Sequence, residues 1–284
     1  MSYKKVVQVV IHTNGRTDFL LSCIQSMALS DEYFEFILSD NSIFGIDSFF
    51  TKIPFLKYRR LKACNTWQEH FNFSLDNCDL PYIVLFHDDD VMFDEFFSSV
   101  KQNINSFSGM SIANNVQIIN RSRRINLTAF AVSKDKYLFF NSYAERVLSS
   151  CFLGFPPISF MVLNVENIKK HRFSQTNGKY GDTLFVGDCL STGPFLLYSN
   201  PVGGYRLHQK QDSKKYKMSD QMKVRDYYSS TVNSAILKKF DARIILESKN
   251  LEYLKRVFHS SLLIQLVVML TRKLIIKFRL RSRL

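Results

Sequence analysis

The chain lacks the cysteine pattern of a cross-linked or thiolate-metal protein. Cys23, Cys64, Cys78, Cys151 and Cys189 are an odd set with no Cys-x-x-Cys spacing, so no disulfide framework is expected and a reducing compartment fits best. Long apolar runs are missing too. The stretch from Leu262 to Leu270 falls well short of the about 20 residues that cross a bilayer. The opening MSYKKVVQVVIHT passes into NGRTD without a small-residue cleavage site, which reads as a first strand and not as a signal peptide. There is no internal repeat and no low-complexity tract. Acid is in deficit: Asp+Glu 25 against Lys+Arg 38 leaves +13, which suits phosphorylated small molecules, anionic lipid or nucleic acid without choosing among them.

What is present is a large core. In 284 residues, 46% are hydrophobic, with 26 Phe and 13 Tyr, enough for one large domain or two modest ones. Val6 to Ile11 is a β-branched run broken only by Gln8, and Thr-Asn-Gly after it is turn chemistry. Thr17 or Asp18 can cap a helix in which Leu20, Cys23 or Ile24, and Met27 recur at three- and four-residue steps. FEFILSDNS then reads as a second strand, FLKYRRL as a short third, and NTWQEHFNFSLDN as a helix with Trp67, Phe71 and Leu75 on one stripe. YIVLF is apolar throughout, as in a strand covered on both faces, and Phe93, Phe96 or Phe97, Val100 and Ile104 mark another amphipathic helix. Alternating strands and helices imply a parallel, doubly wound sheet over about the first hundred residues.

Ligands of open α/β sheets bind outside the carboxyl ends of the strands. Thr13-Asn14-Gly15, Ser39-Asp40-Asn41 and His87-Asp88-Asp89-Asp90 all fall at such ends, so three polar loops should meet at one crevice. Adjacent carboxylates repel one another and resist desolvation. The Asp88-Asp89-Asp90 run therefore either lies in water as an acidic turn or holds a cation, and a hard ion such as Mg²⁺ is commonly shared by one or two carboxylates and a substrate phosphate. Residues 106–172 are less regular, with a helix expected near Tyr143 to Leu148. Six of the ten glycines lie between residues 178 and 204, where close backbone approaches and tight turns are expected.

VVIHTNGRTDFLLSCIQSM, FILSDNS and NTWQEHFNFSLDNCDLPYIVLFHDDDVM, in that order, resemble the nucleotide-sugar half of a family 2 glycosyltransferase. KYGDTLFVG and YRLHQKQDS resemble that family's acceptor-side acid and closing Tyr-Arg-x-His segment, so the likeness runs from about residue 5 to 213. It implies an α/β fold of the GT-A, Rossmann-like kind: a mostly parallel central sheet flanked by helices, with a C-terminal helical extension. Residues 1–105 would be the nucleotide-sugar-binding half, 106–216 the acceptor-binding half of the same domain, and 217–284 a helical region.

Carried over by position, the resemblance puts Thr13, Asn14, Arg16, Asp88 and Asp89 around the nucleotide and Asp40 on the edge of its base. Asp88, Asp90 and His208 become ligands of Mn²⁺ or Mg²⁺. If the family's Asp-Ser-Asp-Asp instead aligns with His87 to Asp90, Asp89 is the principal ligand. Gly181 stands where the family often has the first of two acids. Asp182 is then the general base that takes the proton of an acceptor hydroxyl, with Asp188 its rival. The implied reaction is inverting transfer of a hexosyl or N-acetylhexosaminyl group from a nucleotide-diphosphate donor, UDP-linked by expectation, to a lipid-linked glycan in O-antigen or capsule assembly.

The competing enzyme reading, nucleotidyl transfer, lacks its usual glycine-rich phosphate loop, since HTNGRTD carries one glycine. A nucleic-acid partner is not expected, because the basic residues crowd the C-terminus without an aromatic platform. There Lys273, Lys277 and Arg281 recur beside a stripe of Leu270, Leu274 and Phe278. That is the layout of a basic amphipathic helix lying on an anionic membrane surface, and it predicts a cytoplasmic protein held peripherally on the inner face of a bacterial plasma membrane.

Overall fold

The computed structural model describes residues 5–15, 17–27, 32–61, 64, 66–120, 123–125, 137–140, 157–208, 223, 226 and 227. The helix expected near Tyr143 to Leu148 and the basic tail lie outside the described residues, as does Arg16.

The first strand, β1 (Val7–Thr13), is buried at every position, because helices cover both faces of the sheet it centres. Helix α1 (Thr17–Gln25) follows, then β2 (Phe34–Asp40), the single turn α2 (Ser48–Thr51), and β3 (Leu56–Arg60). Helix α3 (Trp67–Asp76) starts at Thr66, whose hydroxyl accepts the Glu69 N–H, a standard N-cap. Strand β4 (Tyr82–His87), the two-residue β5 (Val91–Met92) and α4 (Asp94–Ser106) complete this part. Strands β3, β2, β1 and β4 are parallel and adjacent in that order. The chain reverses its direction of winding between β1 and β4, and that is where an open sheet leaves a crevice.

Beyond it come β6 (Ser111–Asn120), β7 (Arg123–Ile125), β8 (Tyr137–Phe140), β9 (Met161–Asn164), the short α5 (Val165–Ile168), α6 (Gly181–Thr192) and β10 (Phe195–Leu207). The sheet continues without a break from β4 through β9 and β6 to β10 and β5. Four of the seven neighbouring pairs along this path are parallel, which is the mostly parallel, helix-flanked architecture expected. One core packs Leu20, Ile24, Met27 and Phe96 under one face. A second packs Phe71, Phe173 and Phe185 under the other.

The glycines of residues 203–204 do not make a turn. They sit inside the 13-residue β10, whose pairing with β6 shifts register on either side of Pro201. A Cβ on Gly203 would lie 2.1 Å from Phe160 Cε1, so the close approach is real and a β-bulge takes up the bend.

Candidate active site

The parallel register sets Thr13 beside Asp40 and His12 beside His87, so the loops after β1, β2 and β4 leave the sheet at one level. Gly15 turns the first loop with φ +85, a conformation that favours glycine. Its N–H donates to Thr13 Oγ1 at 3.2 Å. The Thr13 hydroxyl in turn donates to Asp88 Oδ2 at 2.7 Å, across the crevice between β1 and β4.

The three carboxylates do not lie in water: Asp88 is 1% exposed, Asp89 8% and Asp90 0%. Each has a different compensation. Asp88 has the Thr13 hydroxyl, and Asp89 Oδ2 meets His208 Nε2 at 2.8 Å. Asp90 Oδ1 accepts the Arg206 N–H at 3.1 Å. The Arg206 guanidinium braces the turn by donating to the Asp89 carbonyl at 3.1 Å and to Ser22 Oγ at 2.8 Å. It also lies 5.1 Å over the ring of Phe19, whose other neighbour is the His208 ring. The second oxygen of Asp90 and the Ser159 hydroxyl, both buried, lie near each other without forming a well-aligned hydrogen bond. Burial, with Asp89 alongside, pushes the Asp90 carboxyl well above the usual carboxylate range.

One ligand atom each from His87, Asp89 and Asp90 lies within 4.8 Å of the others. A fully buried carboxylate oxygen without a well-aligned hydrogen bond, in such a group, is what a divalent cation would satisfy, and two carboxylates that can share an ion with phosphate oxygens suit Mg²⁺ or Mn²⁺. The residues therefore fit the expected ion. Of the predicted ligands, Asp90 is in this group. Asp88 turns to Thr13, His208 turns to Asp89, and Asp89 and His87 fill the remaining places.

Asp40 is fully buried, with Oδ1 accepting the Ser42 N–H and Oδ2 the Tyr58 hydroxyl, both at 2.8 Å. Burial and that bond push the Tyr58 hydroxyl up to about 12. A nucleobase N–H reaching Asp40 would have to share these oxygens. Asn14 is exposed at the loop tip.

Asp182 opens α6, where its Oδ1 accepts the Thr183 N–H at 2.7 Å. Burial raises its carboxyl, and the Thr183 N–H and then nearby His87 oppose that rise. Asp188 has other company: its Oδ1 accepts the Tyr227 hydroxyl, and burial raises its carboxyl while nearby His171 opposes that rise. Gly181 is packed under Trp67, whose Cη2 would lie 3.0 Å from an added Cβ. Trp67 itself meets Phe71 and Phe173 edge-on.

Sequence reasoning gave no role to His87 or Arg206, although both stand inside quoted motifs, HDDD and YRLH. It also passed over a buried histidine pair beneath the crevice. His12 Nε2 pairs with Ser74 Oγ at 2.9 Å and His70 Nε2 with Ser39 Oγ at 2.8 Å, and the two rings meet edge-on at 4.7 Å. Burial lowers both, His12 well below the usual range and His70 to about 4, so they are neutral near pH 7.

No protein-family model matches the sequence, and neither does any curated protein. Solved structures do match in fold. Residues 1–349 of S. aureus TarS superpose with a TM-score of 0.64 at 14% identity, over 86% of this chain and 73% of that one. TarS 1–349 in complex with UDP-GlcNAc gives 0.63 at 11% identity over 84% and 71%, and its complex with UDP gives 0.63 at 13% over 85% and 72%. Against a longer TarS chain the score is 0.59, and this chain spans 43% of it. At such identities the likeness is one of fold: the chain has the α/β architecture of TarS.

Proposed function

We propose that the chain is a metal-dependent, inverting glycosyltransferase that uses a nucleotide-diphosphate sugar, UDP-linked by preference. The observation that carries this reading is the buried carboxylate turn at the β1/β4 crevice, where ligand atoms of His87, Asp89 and Asp90 converge and one Asp90 oxygen has no well-aligned hydrogen bond. Support comes from the shared fold with TarS, which has been crystallised with UDP-GlcNAc and with UDP. Asp89, Asp90 and His87 would hold Mn²⁺ or Mg²⁺, with His208 against Asp89. Such an ion offsets the charge that develops on the departing diphosphate. Thr13, Asn14 and Arg16, with Asp40 and Asp88, are assigned to the nucleotide.

On the other side of the crevice Asp182 is assigned as general base. It accepts the proton of an acceptor hydroxyl while that oxygen bonds to the anomeric carbon and the carbon–phosphate-oxygen bond breaks, releasing the nucleoside diphosphate. A carboxyl made more basic by burial suits this role. The acceptor is read as a lipid-linked glycan of surface-polysaccharide assembly, on the strength of the family resemblance and the basic tail. No helix among the described residues is long and apolar enough to cross a membrane.

The test is a screen of UDP-, GDP- and TDP-sugars for hydrolysis and for thermal stabilisation, with and without Mn²⁺. A UDP-sugar should raise the melting temperature and be slowly hydrolysed only with the ion. No response to any sugar nucleotide, with turnover of a nucleoside triphosphate instead, would replace this reading with nucleotidyl transfer.

A further inference from the structure

The connection from β2 to β3 inverts the usual distribution of polarity. Ile43 is 85% exposed and Phe44 92%. Of the six large apolar side chains most exposed among the described residues, four (Ile43, Phe44, Phe49 and Phe55) belong to this one connection. The loop is not slack. At its base the Asn41 N–H donates to the Thr13 carbonyl at 2.9 Å, and the Asn41 amide exchanges two bonds with the Cys64 backbone. At its tip Gly45 has φ +82, and the Arg60 guanidinium lies against it and donates to the Ile43 carbonyl at 3.2 Å. A braced turn thus holds two apolar side chains out into water.

Cations outnumber acids around it. From residue 41 to residue 68 the sequence holds Lys52, Lys57, Arg59, Arg60 and Lys62 against one acid, Asp47, which caps α2. Glu35 on β2 pairs with Lys57 and Lys5. Lysine and arginine on β3 also discourage edge-to-edge pairing, but that leaves the exposed Ile43 and Phe44 unexplained. Apolar side chains at a tip with cations behind them suit a bilayer interface, where the former enter the acyl boundary and the latter meet anionic headgroups. The loop leaves the same end of the sheet as Thr13 and the carboxylate turn, so insertion would aim the crevice at the bilayer.

We infer that the Ile43–Gly45 loop, with the basic edge strand β3, is a membrane-docking wedge for an anionic lipid surface. This rests on the surface alone and does not depend on the proposed reaction.

The test uses the full chain, so any binding by the tail is common to every variant, and the readout is local to the loop. In Phe44→Trp, binding to vesicles of about one-third phosphatidylserine should blue-shift the added tryptophan, and lipids brominated near the headgroup end of the acyl chain should quench it. Trp67 of the native chain should not respond. Ile43→Ser/Phe44→Ser should cut partitioning onto these vesicles about tenfold, and Lys52→Gln/Lys57→Gln should weaken binding to anionic but not neutral vesicles. An unshifted, unquenched residue 44 on vesicle-bound protein would overturn the wedge, as would a double serine variant that partitions like the native chain. Loss of vesicle binding on adding single-stranded RNA that itself quenches residue 44 would assign the surface to nucleic acid instead.

Discussion

Two loops leave neighbouring regions of the same sheet edge with opposite chemistry. The one after β4 carries three consecutive carboxylates and is buried; the one after β2 carries Ile43 and Phe44 and is exposed. Each arrangement is costly, since unpaired charge resists burial and apolar surface resists water. In both, other parts of the chain hold the loop in place: Thr13, Arg206 and His208 for the first, Asn41 and Arg60 for the second. A buried polar cluster and an exposed apolar tip are the informative departures from ordinary burial. Here they are the two surfaces on which the proposed ion and diphosphate and the inferred lipid interface would act.

The carboxylate loop should break first and hardest. Asp89→Asn and Asp90→Asn are each expected to lower divalent-dependent turnover by about 10³-fold without unfolding the protein, because the buried, mutually repelling charge is then relieved. Turnover and melting temperature measured together check this; full activity in both variants, or activity indifferent to EDTA, would remove the ion from the site. Asp182→Asn comes next, with transfer reduced by about 10²–10⁴-fold and donor affinity unchanged in a calorimetric titration. Normal transfer here, with loss in Asp188→Asn, would move the base to Asp188.

Part of this contrast was legible in the sequence. The runs ending at Thr13, Asp40 and His87 gave three strand ends, and Leu20, Cys23 and Ile24 of α1, with Met27 just past its end, are all at most 2% exposed. The stripe read on α3 holds, with Phe71 buried in the second core and Trp67 and Leu75 packed against it, but it is incomplete: Gln68, His70 and Ser74 share the inner face. Apolar periodicity cannot see a face that packs through hydrogen bonds. The residues 195–207 misled for a related reason: Pro201, Gly203 and Gly204 signal a turn locally, whereas pairing with β6 keeps them in a bulged strand. Nor could the sequence tell Asp88 from its neighbours, since their separation depends on Thr13, seventy-five residues away.

The polar inner face of α3 supplies the next effect. His70 has a folded value of about 4, lowered mainly by burial and partly restored by Asp40, against about 6.5 in an unfolded chain. Between these values the unfolded chain binds the proton and the folded one does not, so stability is full above pH 6.5 and falls as pH drops toward 4. The loss should approach roughly 3 kcal/mol across that window, with His12 adding in the same direction. Urea denaturation at a series of pH values would show it, and His70→Gln should flatten the slope. An unchanged slope in that variant would mean another group titrates there.

The smallest expected effect is the sharpest on the comparison. Because Ile43 and Phe44 lie almost wholly in water, Ile43→Ser/Phe44→Ser should change unfolding free energy by no more than about 0.5 kcal/mol, the range of ordinary surface substitutions. Phe71, 6% exposed and in ring contact with His12, Trp67 and Phe173, should cost about 3–5 kcal/mol as Phe71→Ala. The two aromatic positions thus separate a side chain that holds the fold from one the fold holds out. If the double serine variant instead lost stability on the scale of Phe71→Ala, the loop would be packed in solution, and its apolar tip would belong to an interior contact. A neutral result leaves Ile43 and Phe44 with no role in stability, so their exposure would have to be explained by what they touch outside the fold.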